Sequence, residues 1–490
     1  MFDALFTTTT EYKKLSHALS GKGACALFGL PASGRAQVYA ALCRQLDKPL
    51  CIVTPGEAEA TRFAADLNTL GIPAAVFPAR DYVLRPIEGT AREYEYRRLA
   101  VLGELVGGRL RAVAVPAEAL TQFTTPKEDF CANTRTLHAG DTLLRDDLLA
   151  ALFGAGYTRR AQVDGPGQFS VRGDIVDIFA PDQKMPVRME FWGDEIDTLH
   201  TFDLTTQRRE DAIDKFYLSP AREVLFGKPA DAAEQLRAFL AKQRGKKKTA
   251  MADCMAADLD LLDGGAVPVN MDKYLAVRYP HPATVLDYFD DPILVAEEPA
   301  SIREADRATA YRRGEELKSL ILDGVLCAGL DNLYADPSYL WSKTGHYRTI
   351  CAENFARSMP DQPLKDIINA PAHTLPAWNG EVAGLLEDLK PLCDAGYTVT
   401  LLAGTDRAAA GLARDLRDKG ILVTTDAAAA PAAGLVQVLA GHLSTGCEFP
   451  FAKYALLTGR AFGETSSQKK KRKKAKDALN SLTEITPGDL

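Results

Sequence analysis

The sequence predicts an α/β protein with a β-rich module set inside it, and the α/β rhythm that returns near its end reads either as a second α/β lobe or as the common grammar of such folds. Three observations predict this class. A strand–loop–helix–strand rhythm runs through residues 24–77, the apolar period changes from 3.6 to two between Gln168 and Phe202, and the first rhythm returns near residue 400.

Taken in order, Ala24–Phe28 is an apolar run that reads as a buried strand. A Gly/Pro/Ser loop follows, then a helical pattern from Ser33 to Leu46 and a second apolar run from Leu50 to Val53. Thr54-Pro55-Gly56 opens another helix, with Ala60, Phe63, Ala64 and Leu67 on one face, Gly71 as its stop, and Ala74–Phe77 as the next strand. Such alternation argues a parallel sheet covered by helices. From Gln168 the pattern is different. Phe169 and Val171 alternate with Ser170 and Arg172; Val176 and Ile178 then take the apolar role. Val187, Met189 and Phe191 alternate with Arg188 and Glu190, and Gly193-Asp194 is a turn signal before Ile196 and Phe202. The expectation is a three-stranded antiparallel meander. Beyond it lie an amphipathic helix carrying Leu236, Phe239 and Leu240, then Gly245–Lys248, which reads as an exposed bend. Near the end, Tyr397–Leu402 reads as a strand, Gly404-Thr405-Asp406 as a helix cap, Gly420 as a stop and Ile421–Val423 as a strand. Six consecutive basic residues, Lys469–Lys474, read as a solvated tether or as a nucleic-acid contact.

At 490 residues the chain calls for several domains of roughly 100–200 residues each. With 46% hydrophobic and 25% charged residues it has an ordinary globular composition, and no apolar run approaches the ~18–20 residues of a membrane helix. The first residues lack a basic stretch followed by an apolar core, so no signal peptide is expected. A net charge of −7 excludes a surface that is basic throughout, leaving only local patches for nucleic acid. Nine cysteines without a C-x-x-C argue against zinc and disulfide frameworks and for small buried hydrophobes in a reducing cytoplasm.

Gly29–Ala36 has the G-x-x-x-x-G frame of a phosphate-binding loop, in the right place between strand and helix. Gly29 and Gly34 keep the frame. However, Arg35 stands where a lysine would reach the phosphates, and Ala36 stands where a hydroxyl would hold Mg²⁺. A wide planar guanidinium is a poor substitute for lysine in a tight cradle, and alanine ligates nothing. Ile293–Glu297 is an apolar run ending in acids. Glu297 and Glu298 therefore stand where a Walker-B carboxylate would, or are merely solvated acids at a strand end. No metal cluster and no nucleophile with a base is legible. The arginines, acids and aromatics of the meander suit either a protein interface or a salt-bridged surface.

Gly156-Tyr157-Thr158-Arg159-Arg160, Gly165–Phe179, Val187–Asp197 and Phe202–Arg208 together resemble the UvrA-binding domain shared by UvrB and the transcription-repair coupling factors. Phe77-Pro78, Arg97-Arg98-Leu99, Val115–Leu120, Ser219–Glu223 and Glu298-Pro299-Ala300 extend the likeness along the chain. The altered loop at Arg35 and Ala36, and the short stretch from Asp81 to Tyr96 that leaves no room for a damage-probing hairpin, make the coupling factors the better match.

The resemblance implies a degenerate RecA-like (P-loop NTPase-like) unit from 1–124 and 217–350, with an inserted α+β UvrA-binding domain at 125–216. It further implies a linker at 351–369, a small α/β domain at 370–462, a basic linker at 463–480, and at 481–490 the start of a domain that binds RNA polymerase. The implied function is non-catalytic recruitment of UvrA to stalled RNA polymerase in transcription-coupled nucleotide excision repair. The ATP- and Mg-dependent translocase motor would lie outside this sequence, so no cofactor is expected here; RNA polymerase and DNA would be partners through the rest of the protein. Carried over residue by residue, the UvrA-contacting positions are Arg159, Phe169, Arg172, Glu190 and Phe191. Ser170 stands where UvrB has a second arginine. The rivals are a DNA-binding ATPase fragment and an autoinhibitory clamp on the motor.

Overall fold

The computed structural model describes residues 7–87, 92–357, 362–378, 382–430 and 432–459. The basic run at Lys469–Lys474, and the expected start of a further domain, lie outside them.

Seven strands form the first sheet, in the order Leu364–Asn369, Gly23–Phe28, Arg348–Glu353, Ile293–Glu297, Leu50–Thr54, Ala112–Pro116, Ala74–Val76. Every neighbouring pair is parallel. The central strands are buried along nearly their whole length, because helices such as Ala32–Leu46 and Glu57–Thr69 cover the sheet. Gly71 ends the second of these helices with φ 77°, a left-handed position that glycine takes without strain.

Between Ala112–Pro116 and Ile293–Glu297 the chain leaves this sheet. A two-stranded antiparallel ribbon, Arg135–His138 with Lys215–Leu218, brackets the excursion. Inside it stands a six-stranded sheet: Arg209–Ala212, Glu195–Phe202, Val187–Trp192, Ile175–Phe179, Gln168–Arg172, Thr158–Arg159. The three expected strands are thus part of a larger sheet, antiparallel except at Thr158–Arg159, which runs parallel to its neighbour. Helix Arg145–Gly154 covers one face, where Leu148, Leu152, Phe169, Val176, Ile178, Met189 and Phe191 form a separate core.

Helices Pro229–Ala241 and Gly245–Asp263 follow. Gly245–Lys248 is therefore the first turn of a helix rather than a bend: lysine is a good helix former, and the chain turns just before it. The stretch 351–369, expected as a linker, contains the end of one strand and all of Leu364–Asn369, the edge strand paired with Gly23–Phe28. The last unit has a sheet ordered His373–Leu375, Gly446–Phe449, Tyr454–Thr458, Thr398–Leu402, Val436–Leu439, Val423–Thr424. Its helix Asp406–Asp418 is capped by the Thr405 side chain, which accepts from the Ala408 amide, and Gly420 has φ 79°. This unit shares a core with the first: Leu402, Cys447, Phe449, Tyr454 and Leu456 join the cluster built on Tyr39 and Leu42. Among the described residues no helix is long and apolar enough to cross a membrane.

Candidate functional site

In the inserted sheet, register decides which side chains look outward. Arg172 pairs with Ile175, and Ile175 with Glu190; Ser170 pairs with Asp177, and Asp177 with Arg188. These side chains stand on the face away from the helix-covered core. Two residues beyond Glu190, the same parity brings out Trp192, which is 82% exposed at the hairpin tip. Gly193, with φ 65°, makes the turn.

Arg172 is exposed and has no ion-pair partner among the described residues, because the nearby acids are taken. Asp177 receives both ends of the Arg188 guanidinium, at 2.7 and 2.9 Å, and Asp174 lies 3.7 Å from Arg145. Arg188 also lies over the Phe202 ring, which with Val163 and Phe179 covers the lower part of this face. Glu190 is half-buried, pairs with Arg209 and accepts from the Thr198 hydroxyl at 3.2 Å.

Two of the five expected contact residues are therefore misplaced. Phe169 is fully buried and Phe191 nearly so, both inside the module's core, because their register parity points them at helix Arg145–Gly154. Trp192 is the aromatic side chain that this face offers. Period-two alternation could have found it: if Phe191 is in, Trp192 is out. Ser170 is buried beneath the face. Arg159 is exposed, but its strand position pairs with Phe169, and it lines a separate cleft rather than sitting beside Arg172.

A second set of expected residues does come together. Arg35 and Ala36 lie in the first turns of helix Ala32–Leu46, both buried. The Arg35 guanidinium contacts Glu297 at 2.8 Å and Glu298 at 3.0 Å, and donates to the Leu30 carbonyl at 3.0 Å. The Tyr39 hydroxyl donates to Glu297 at 2.6 Å. Burial pushes the Glu297 carboxyl above its ordinary range despite Arg35, and burial with Glu297 alongside raises the Tyr39 hydroxyl far above its own. The loop cation and the acidic strand end thus neutralise each other. The last unit closes over them: the Ser33 hydroxyl lies 2.8 Å from that of Thr445, and a Cβ on Gly34 would come within 2.9 Å of the Cys447 sulfur. Asp66 accepts from the Ser444 amide and hydroxyl at 2.8 and 2.7 Å, holding the cover in place. Among the described residues no group of His, Cys, Asp and Glu could hold a metal ion.

A third feature was not foreseen. Where the inserted module joins the rest, Arg98 donates to Glu223 at 2.6 and 3.3 Å, and Arg80 to Asp272 at 2.7 Å. Glu95 accepts from the Glu223 amide at 3.0 Å and from Arg92 at 2.8 Å. Burial alone would raise the Glu95 carboxyl; Arg80, Arg222 and Arg92 outweigh it and hold it at about 2.

Residues 136–224 match the sequence model of the UvrB interaction domain family. The inserted module carries that domain. The UvrB interaction domain thus spans the neck ribbon and the whole six-stranded sheet, including the face bearing Arg172 and Trp192. The chain as a whole is similar to transcription-repair-coupling factors. It is 25% identical over 478 residues to that of Bacillus subtilis (strain 168) and 25% over 479 residues to that of Staphylococcus haemolyticus (strain JCSC1435). With the Staphylococcus aureus (strain MRSA252) protein it is 23% identical over 475 residues. Each likeness covers 94% of this chain, and the chain spans about 40% of the length of these relatives. The family resemblance read from the sequence holds.

Proposed function

We propose that this chain is a docking module that recruits UvrA in transcription-coupled nucleotide excision repair, without nucleotide chemistry of its own. The observation that carries the reading is the open face of the UvrB interaction domain. It presents an arginine without an ion-pair partner among the described residues, a half-buried carboxylate and a largely exposed tryptophan on a sheet with a core of its own. Arginine and tryptophan are the side chains that most often anchor interfaces, and Trp192 stands 82% exposed at the tip of this face. UvrA contact then runs through Arg172, Glu190 and Trp192, with Arg159 at the margin. On this reading, contacts with RNA polymerase and DNA, and an ATP-driven motor, belong to the rest of a longer coupling factor.

The rival reading, a DNA-binding ATPase fragment, is weakened by the Arg35–Glu297 pair and the closed cover over the loop. Titrating the chain with UvrA and, separately, following its melting with Mg-ATP tests both halves. UvrA binding without a thermal shift supports the proposal. A ligand that bound well would stabilise by several kcal/mol at saturation, so an Mg-ATP shift of several degrees would overturn the non-catalytic half. Absence of UvrA binding would overturn the other.

A further inference from the structure

A large cavity lies away from the open face, between the inserted module and the helical segment that follows it, with a volume near 1150 Å³. Small-molecule pockets occupy about 300–1,000 Å³. This one is an open cleft with room for a chain segment. Three cations on its wall, Arg159, Arg160 and Lys228, are exposed and have no ion-pair partner among the described residues. Between them are apolar side chains left partly or largely in water: Phe153, Val267 and Val269.

We propose that this cleft binds an acidic peptide segment anchored by apolar side chains. Unpaired guanidiniums offer carboxylates two parallel hydrogen bonds, and the exposed valines and phenylalanine offer leucine- or phenylalanine-like anchors a place to bury. Single-stranded nucleic acid fits less well. It needs free aromatic faces along a continuous basic track. Here the Tyr96 ring is already covered by Arg222, whose guanidinium also donates to its hydroxyl at 3.1 Å, and Asp164 sits on the wall. The proposal does not rest on the UvrA reading, because Arg160 and Lys228 belong to the cleft and not to the face of Arg172 and Trp192.

The test is a phage-displayed peptide library panned on the intact chain, with selected sequences remade as labelled peptides and titrated by fluorescence anisotropy. The expected peptides are rich in Asp and Glu with interspersed Leu or Phe. Their binding should fall by about tenfold or more in the Arg160→Glu, Lys228→Glu double variant. It should be unchanged in Trp192→Ala and should resist competition by oligothymidylate. If charge reversal lowers the melting temperature, Arg160→Gln with Lys228→Gln replaces it, with a smaller loss expected. Absence of an acidic consensus, insensitivity to both double variants, or displacement by oligothymidylate would overturn the proposal.

Discussion

Phe169, Phe191 and Trp192 are three aromatic residues of one sheet with opposite tasks. Phe169 meets Phe153 edge to face at 5.2 Å in the module core, whereas Trp192 stands in water. Phe169→Ala should therefore cost about 3–5 kcal/mol of stability and lose UvrA binding only by unfolding the module. Trp192→Ala should change stability by less than about 0.5 kcal/mol. Denaturant melts of the two variants check this, and a large loss from Trp192→Ala would show that the tip is structural. Arg35 offers a second residue-scale contrast. Restoring a lysine there should not restore nucleotide binding, because Ala36 still lacks a hydroxyl and Cys447 and Phe449 still close the loop. Arg35→Lys should instead destabilise the chain, since a single ammonium cannot span Glu297, Glu298 and the Leu30 carbonyl together. Melting with and without Mg-ATP checks both statements.

Among the elements, the ribbon and the buried ions at the root of the inserted module matter most. Arg98 and Glu223 are both fully buried, so Glu223→Gln leaves a charge without its partner and should cost about 3–5 kcal/mol. Glu95, held near 2 against an ordinary 4.5, stabilises the fold above about 4.5, and that stability is lost as pH falls toward 2. Glu95→Gln should flatten this acid limb, measured by denaturant titration at successive pH values; an unchanged limb would assign it to other carboxylates. None of this was legible in the sequence, because Arg98 and Glu223 are 125 residues apart and nothing local marks them as partners. Local signals worked where period and punctuation agree: Gly23–Phe28, Leu50–Thr54, Glu57–Thr69 and Asp406–Asp418 fall within a residue or a few of expectation. They failed at Leu364–Asn369, where an edge strand with Lys365, Asp366 and Ile367 in water has no clean alternation. They failed again at Lys246–Lys248, where charge suggested a loop and propensity made a helix. In the candidate site, the outward pair Arg172 and Glu190 followed from period two, whereas carrying over Phe169 and Phe191 as contacts ignored the same parity.

On the scale of the whole molecule, two α/β units are fused through one core, and the inserted module joins them at its ribbon and at the buried Arg98–Glu223 pair, with the outer part of one face, bearing Arg172 and Trp192, left in water. A chain of net charge −7 should bind duplex DNA weakly and without preference for lesions. What binding there is should run through Lys469–Lys474 and fall steeply with salt; lesion-selective binding that survives deletion of 465–476 would contradict this. The central claim is that the open face of the UvrB interaction domain is a docking surface and not decoration. The most direct measurement is a UvrA titration of the Arg172→Ala chain, with its melting followed on the same sample. The account predicts a loss of roughly 2 kcal/mol or more in UvrA binding with the melting temperature unchanged. A lowered melting temperature with UvrA affinity intact at temperatures where the variant is folded would contradict it.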